Sequence, residues 1–167
     1  MSSGSSHNAK LPPTRAKILP KVLRYRGKVD QGYGRGGKKL GVPTANLKAS
    51  SFDQALQNVA TGVYFGWAAL EDKTTTIVYK TVVNVGYSPT FEGQENAEKI
   101  IEAHLMTEDT VSGEDDNFLP DFYGTPLRLQ LIGFLRDEQK FDSFPDLIAQ
   151  IHADIQDAKD ALDWRRW

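Results

Sequence analysis

The chain has 167 residues, and with 40% hydrophobic residues, 25% charged residues and a net charge of −2 it has the composition of an ordinary globular protein. It contains no cysteine, which excludes disulfides, thiolate metal sites and cysteine nucleophiles. No run approaches the roughly 18 apolar residues that cross a bilayer, so we expect no membrane contact. Because no strong targeting segment is visible, we expect a cytoplasmic location, with an organelle left open.

Residues 1–18 lack the charged start and apolar core of a secretory signal, and we expect a flexible leader before a single domain over residues 19–167. Basic residues are concentrated at this end of the chain. Through Lys39 there are ten Lys or Arg against the single acid Asp30, so this part carries +9 and the remainder −11. The asymmetry indicates a nucleic acid or a phosphorylated small molecule as partner, although a solvated basic face has the same composition.

Five stretches have the β-branched and aromatic composition of strands, several with alternating apolar residues. They are residues 22–29, 61–70, 75–87, 99–106 and 127–136. The acidic residues 71–74 are typical of a hairpin turn between the second and third. Consecutive strands without intervening helices predict an antiparallel barrel or sandwich.

The first two strands are separated by a glycine-rich run, GYGRGGKKLGVPTAN (32–46), that begins with the pattern G-x-G-x-x-G. A dinucleotide-binding fold needs a helix after this pattern, but Gly41 and Pro43 stand where that helix would run. The sequence also lacks the H-R-D of protein kinases. Closely spaced glycines still let backbone N–H groups converge on an anion beside Arg35, yet glycine-rich hairpin turns are common, so phosphate binding stays open here.

The end of this run contains two neutral oxygen donors. Pro43 precedes Thr44 and Asn46, whose i, i+2 spacing in an extended segment directs both side chains to one face. Such donors suit Mg²⁺, which commonly takes few protein ligands and completes its shell with waters and substrate phosphates. The same side chains could instead satisfy the backbone of a turn.

The strand KIIEAHLM (99–106) carries a candidate base. Its alternation places Glu102 and His104 on the face opposite Ile101 and Ala103. A carboxylate on a rigid strand with apolar neighbours is suited to accept a proton, and His104 is the rival base. A solvated strand glutamate is the competing interpretation of this pattern.

The last element is the one clear helix. The acidic residues 107–121 show no period and predict an exposed loop. From Phe144 onward apolar residues recur at spacings of three and four, with Ser143 as a plausible cap. These apolar residues are Leu147, Ile148, Ile151, Ile155, Ala158 and Leu162.

In this order the motifs resemble those of the riboflavin kinases, the family that makes FMN from ATP and riboflavin. The resemblance covers about residues 20–163. It is carried by GYGRG (32–36), LGVPTAN (40–46), TGVYFGW (61–67), NVGYSP (84–89), EAHLM (102–106), DFYG (121–124), FLR (134–136) and KFDSF (140–144). It implies a mainly β fold, a six-stranded antiparallel Greek-key β-barrel with a C-terminal amphipathic α-helix.

The resemblance also implies roles for individual residues. It implies nucleotide binding by Gly32, Gly34, Arg35, Gly36, Pro43, Thr44 and Asn46. Thr44 and Asn46 would hold Mg²⁺, with Zn²⁺ or Mn²⁺ as substitutes, and Glu102 would be the catalytic base. Arg136 and Phe141 would bind the flavin. The implied partners are riboflavin or FMN and ATP or ADP, without nucleic acid or membrane, in a monomeric cytoplasmic enzyme.

One alternative from another class stays open, a small basic nucleic-acid-binding β-barrel without catalysis. Basic residues flank an aromatic in RYRGK (24–28), as in binders of single strands. This alternative gives Glu102 no role, and it leaves the glycine run and residues 43–46 unexplained.

Overall fold

The computed structural model describes residues 16–30, 44–48, 58–71, 76–87, 99–106 and 124–163. They form β1 (Lys17–Lys28), β2 (Thr44–Lys48), β3 (Gly62–Glu71), β4 (Thr76–Tyr87), β5 (Lys99–Met106), β6 (Pro126–Arg136) and α1 (Phe144–Leu162). Residues 1–15 of the predicted leader 1–18 lie outside the described residues, whereas Lys17 and Ile18 belong to β1. The predicted loop 107–121 and Gly32, Gly34, Arg35, Gly36 and Pro43 also lie outside them.

All six strands belong to one antiparallel sheet in the order β1-β6-β3-β4-β5-β2. An isolated antiparallel bridge joins Asp30, just after β1, to Asn46 in β2 at the other edge, and the Asp30 N–H donates to the Asn46 carbonyl at 2.7 Å. The mainly β fold with six antiparallel strands and a C-terminal helix is therefore confirmed. Closure of the sheet into a Greek-key barrel stays a prediction.

Alternation along the strands gives the sheet two apolar faces. We call the first the inner face, whose fully buried side chains include Leu47, Val83, Val85, Ile101, Leu105, Leu127, Leu129 and Leu131. We call the second the helix face, where Val63, Phe65, Val82, Ile132 and Leu135 pack against Ile155, Ala158, Ala161 and Leu162 of α1. Each fully buried leucine contributes about 1.5–3 kcal/mol, so a one-residue slip of any central strand is strongly disfavoured.

Helix α1 begins and ends at residues that satisfy its terminal backbone groups. Ser143 is the N-cap, and its Oγ accepts from the Asp146 N–H at 3.3 Å. At the other end the Asp163 N–H donates to the Lys159 carbonyl at 3.0 Å, and the Asp163 carboxylate pairs with Lys80 of β4. The predicted helix and its cap are confirmed.

Two strands differ from the sequence prediction. Strand β1 begins at Lys17 rather than at residue 22, because Lys17 and Ile18 pair with β6. The register of that pairing shifts between Ile18 and Leu23, which accommodates Pro20 on an edge strand. Strand β2 was predicted only as an extended segment, and it becomes a strand by pairing with β5.

Candidate functional site

Three polar side chains lie side by side on the helix face near one edge of the sheet. Glu102 of β5 lies opposite Asn46 of β2 on one side and opposite Asn84 of β4 on the other. Directly opposite residues of an antiparallel ladder have Cβ atoms about 4.5–5.5 Å apart. All three side chains are half-buried. Glu102 therefore lies between two asparagines in the ladder.

A second polar pair lies one step along the same ladder. His104 of β5 lies opposite Thr44 of β2, and its Nδ1 is 2.9 Å from the Thr44 Oγ1. The histidine is 8% exposed, and burial lowers its pKa from the ordinary 6.5 to about 4, with the Asp154 carboxylate acting in the opposite, raising direction. The ring is therefore neutral at pH 7. We call Thr44, Asn46, Asn84, Glu102 and His104 the polar patch.

The row that contains Glu102 continues across the sheet to Arg136. Val63 of β3 lies opposite Asn84 on one side and opposite Arg136 of β6 on the other. Three strand spacings separate Glu102 from Arg136, about 14 Å along the sheet. The predicted base and the predicted flavin residue thus lie on one face, in the same row.

Helix α1 holds the Arg136 guanidinium in place. Its Nε is 3.1 Å from Oδ1 of Asp154, and its Nη2 is 2.9 Å from Oδ2. Gln150 donates its amide to the same Oδ1 at 3.0 Å. Asp154 is only 2% exposed, so the paired charges are largely shielded from solvent.

Arg136 also lies over an aromatic ring. The guanidinium carbon is 5.8 Å from the centre of the Phe141 ring, within the range of a cation–π contact. The structure therefore brings the two residues predicted for the flavin side together. Their contact with a flavin stays a prediction.

Sequence reasoning assigned no role to three residues of this region. Asn84 alternates with apolar residues on β4, and Asp154 lies on the buried stripe of α1 between Ile151 and Ile155. A charged residue within an apolar helical stripe is a usable signal, because a buried charge needs a partner. Gln150 offered no comparable signal, since its role depends on Asp154.

The nucleic-acid alternative requires an exposed aromatic ring at Tyr25, and in this structure that ring is buried. Tyr25 is 8% exposed and belongs to the core of the inner face, so its ring cannot stack on a base. Arg26 pairs with Glu71 at 2.8 Å, and that carboxylate also accepts from Arg128 at 2.6 Å. The hydrogen bond from Arg26 lowers the pKa of Glu71. The basic stretch 24–28 therefore offers cations without an exposed ring.

The part of the chain that the structure describes contains no group of three or more His, Asp or Glu arranged to hold a metal ion. A cation at Thr44 and Asn46 would depend on phosphates and waters for the rest of its shell, as Mg²⁺ commonly does. None of the helices within the described ranges is both long and apolar enough to span a bilayer.

Comparison with known proteins gives a consistent family. A family model described as "Flavokinase: Riboflavin kinase" matches residues 19–162. A riboflavin kinase of Mus musculus is 39% identical over 138 residues, which are 83% of this chain and 79% of the relative.

Two solved structures are similar in fold. Riboflavin kinase from Trypanosoma brucei matches with a TM-score of 0.61 at 23% identity, over 86% of this chain and 81% of that one. A structure described as a macrolide-efflux protein from Streptococcus pneumoniae matches with a TM-score of 0.57 at 29% identity over 82% of this chain. This chain spans only 38% of that second structure, so its description has no bearing on function here.

Proposed function

The chain belongs to the riboflavin kinase family, and from that premise we propose how its residues perform the reaction. The protein is an enzyme that phosphorylates riboflavin to FMN with ATP as co-substrate. Such a transfer requires in-line placement of the reactants, neutralisation of the phosphate charge and removal of the hydroxyl proton.

Glu102 is the general base of the proposed mechanism. Its carboxylate takes the proton of the riboflavin 5′-hydroxyl while the hydroxyl oxygen bonds to the γ-phosphorus. The bond from that phosphorus to the β–γ bridging oxygen breaks, and ADP leaves with the electron pair. The observation that supports this role is the ladder register, in which Glu102 lies on a strand paired on both sides, opposite Asn46 and Asn84.

Thr44 and Asn46 are the proposed protein ligands of Mg²⁺. A hydroxyl oxygen and an amide oxygen are hard donors that fit Mg²⁺, and fit Mn²⁺ better than Zn²⁺. When bound, the cation would neutralise charge on the transferred phosphate. Asn46 lies directly opposite Glu102 and Thr44 lies two residues along the same strand, so nucleotide and base would meet at this edge of the sheet.

The glycine run is the proposed cover of the nucleotide phosphates, through Gly32, Gly34, Arg35, Gly36 and Pro43. These residues lie outside the described ones, and their assignment is supported by the family pattern and by the match over residues 19–162. The run directly precedes Thr44 in the sequence.

Arg136 and Phe141 are the proposed flavin contacts. A planar guanidinium over an aromatic ring makes a flat, partly apolar surface of the kind that a planar ring system packs on. The pairing with Asp154 fixes the guanidinium before substrate arrives, which lowers the entropy lost on binding.

We further propose a cytoplasmic monomer that has no nucleic-acid function. The burial of the Tyr25 ring supports the absence of a nucleic-acid function. Size-exclusion chromatography with light scattering should give a mass near 18.6 kDa. That mass should be unchanged by a single-stranded oligonucleotide, and a shift with the oligonucleotide would revive the alternative.

The reaction is tested by incubating the protein with riboflavin, ATP and Mg²⁺ and separating the flavins by chromatography. We expect FMN and ADP in equal amounts. Lumiflavin, which keeps the ring but lacks the ribityl hydroxyls, is the matched control and should release no ADP above background. No FMN from folded protein, across several triphosphates and divalent cations, would overturn the function.

A further inference from the structure

A hydrogen bond between two members of the polar patch has no role in the mechanism above. Oγ1 of Thr44 and Nδ1 of His104 are 2.9 Å apart, across the β2–β5 ladder. One partner is a proposed cation ligand, and the other is 8% exposed. A buried side chain that contacts a ligand of the cation can determine where that ligand's lone pairs point.

The orientation of this hydrogen bond follows from the chemistry of the two groups. A hydroxyl has one hydrogen and two lone pairs, and a neutral imidazole has one donor nitrogen and one acceptor nitrogen. A cation at the Thr44 oxygen would repel the hydroxyl hydrogen and favour the arrangement in which that hydrogen points away, toward Nδ1. In that arrangement Thr44 donates to Nδ1, the ring carries its hydrogen on Nε2, and the hydroxyl hydrogen does not face the cation.

The structure also fixes the position of His104. Its backbone carbonyl accepts from the Thr81 hydroxyl at 2.9 Å, and its strand is paired on both sides. Val82 lies opposite it on β4, so the side chain is confined between β2 and an apolar neighbour. A ring held in this way presents Nδ1 to Thr44 in one geometry.

We propose that His104 is a positioning residue that orients the Thr44 hydroxyl so that its lone pairs face the metal–nucleotide. The role of His104 rests on the proposed function of Thr44 as a cation ligand. His104 acts through Thr44 and takes no proton from the substrate.

A double-mutant cycle tests this role through the Mg²⁺ dependence of FMN formation. His104→Leu removes the acceptor, and Thr44→Val removes the hydroxyl with little change in volume. One lost neutral hydrogen bond corresponds to about a fivefold to tenfold higher Mg²⁺ concentration for half-maximal activity. We expect this rise in His104→Leu, with the KM for riboflavin unchanged, and we expect His104→Leu to add nothing in the Thr44→Val background.

Two further substitutions separate positioning from simple packing. Asn carries its polar atoms near the position of Nδ1, whereas Gln carries them near the position of Nε2. His104→Asn should therefore retain wild-type Mg²⁺ dependence within about threefold, and His104→Gln should resemble His104→Leu. If His104→Leu fails to fold, the Asn and Gln pair gives the answer alone.

A measurement on the unmodified enzyme gives an independent test. Nitrogen-15 NMR of the histidine rings, with Mg²⁺ and ADP bound, reports which ring nitrogen of His104 carries the hydrogen. Hydrogen on Nε2 supports the proposal, and hydrogen on Nδ1 overturns it. Additive effects in the cycle would overturn it as well, while absence of FMN from the wild type would count against the proposed function instead.

Discussion

Two buried ionisable side chains, Asp154 and His104, dominate the electrostatics at the residue scale. They lie on different elements, and the Asp154 carboxylate is close enough to influence the pKa of the His104 ring. Arg136 and Gln150 donate hydrogen bonds to the two carboxylate oxygens of Asp154. His104 is kept neutral by burial, so the polar patch has no positive charge of its own at pH 7.

Asp154→Asn is expected to lower stability and weaken riboflavin binding together. Removing one partner of a buried pair leaves the Arg136 charge uncompensated, which costs about 3–5 kcal/mol of unfolding free energy. Urea unfolding measures that loss, and the KM for riboflavin should rise. Asp163→Asn is the matched control, because the exposed Lys80–Asp163 pair should contribute no more than about 1 kcal/mol. Equal losses of unfolding free energy in the two variants would contradict the view that the buried Asp154 of α1 stabilises Arg136.

The low pKa of His104 predicts a specific pH dependence of stability. In the unfolded chain the ring takes up a proton near pH 6.5, but in the folded protein only near pH 4. The neutral His104 ring therefore makes its full contribution to the free energy of unfolding above pH 6.5. This contribution falls by about 3 kcal/mol in all as the pH falls toward 4. The free energy of unfolding, measured by urea between pH 7 and pH 4, should show this fall in the wild type. His104→Asn should lack it, while substitution of the exposed His152 to Asn should leave it unchanged.

At the scale of elements, strand β5 and helix α1 carry the site. Strand β5 places Glu102 and His104 on one face, and α1 delivers Asp154 to the same face. The period-two pattern of 99–106 and the three-and-four spacing after Phe144 were enough to predict both elements. The two cores confirm the predicted alternation, because Ile101, Ala103 and Leu105 belong to the core of the inner face, whereas Met106 belongs to that of the helix face.

The N-cap of α1 should affect the stability of the protein without affecting catalysis. Ser143→Ala removes the acceptor for the Asp146 N–H and should cost about 1 kcal/mol, whereas Ser143→Asp should restore most of it. Thermal unfolding measures both variants. The cap touches no residue of the polar patch, so kcat should stay within about twofold of wild type, and a larger fall in kcat with normal stability would contradict this view.

Gly133 marks a close approach between β6 and β3 on the helix face. A Cβ at this position would lie 2.2 Å from the Cζ of Phe65 and 2.7 Å from the backbone carbonyl oxygen of Lys17, so Gly133→Ala should cost about 1–3 kcal/mol through overpacking, of which only the part against Phe65 can be relieved by a smaller side chain. Phe65→Leu combined with Gly133→Ala should recover part of the loss, because the smaller side chain frees the space. Chemical denaturation of the two single variants and the double variant measures the recovery, and simple addition of the two losses would contradict the contact.

At the scale of the whole molecule, the pairings that build the site span long stretches of chain. Asn46 meets Glu102 and Arg136 meets Asp154 only because the sheet order and the placement of α1 bring them together. Local periodicity predicts which face of its own strand a residue occupies, but it does not give the partner strand or the register. The family resemblance therefore indicated Glu102, Thr44 and Asn46, while the partnerships with Asn84 and Asp154 required the three-dimensional structure.

The measurement that tests the central claim most directly is the kcat for FMN formation by Glu102→Gln. Glu71→Gln, the same change at the hairpin end of β3, is the matched control. Removal of a general base should lower kcat by about 10²–10⁴-fold with little change in either KM, and the control should stay within about twofold of wild type. A folded Glu102→Gln variant with near-normal kcat would contradict the assignment of the base and the site built around it.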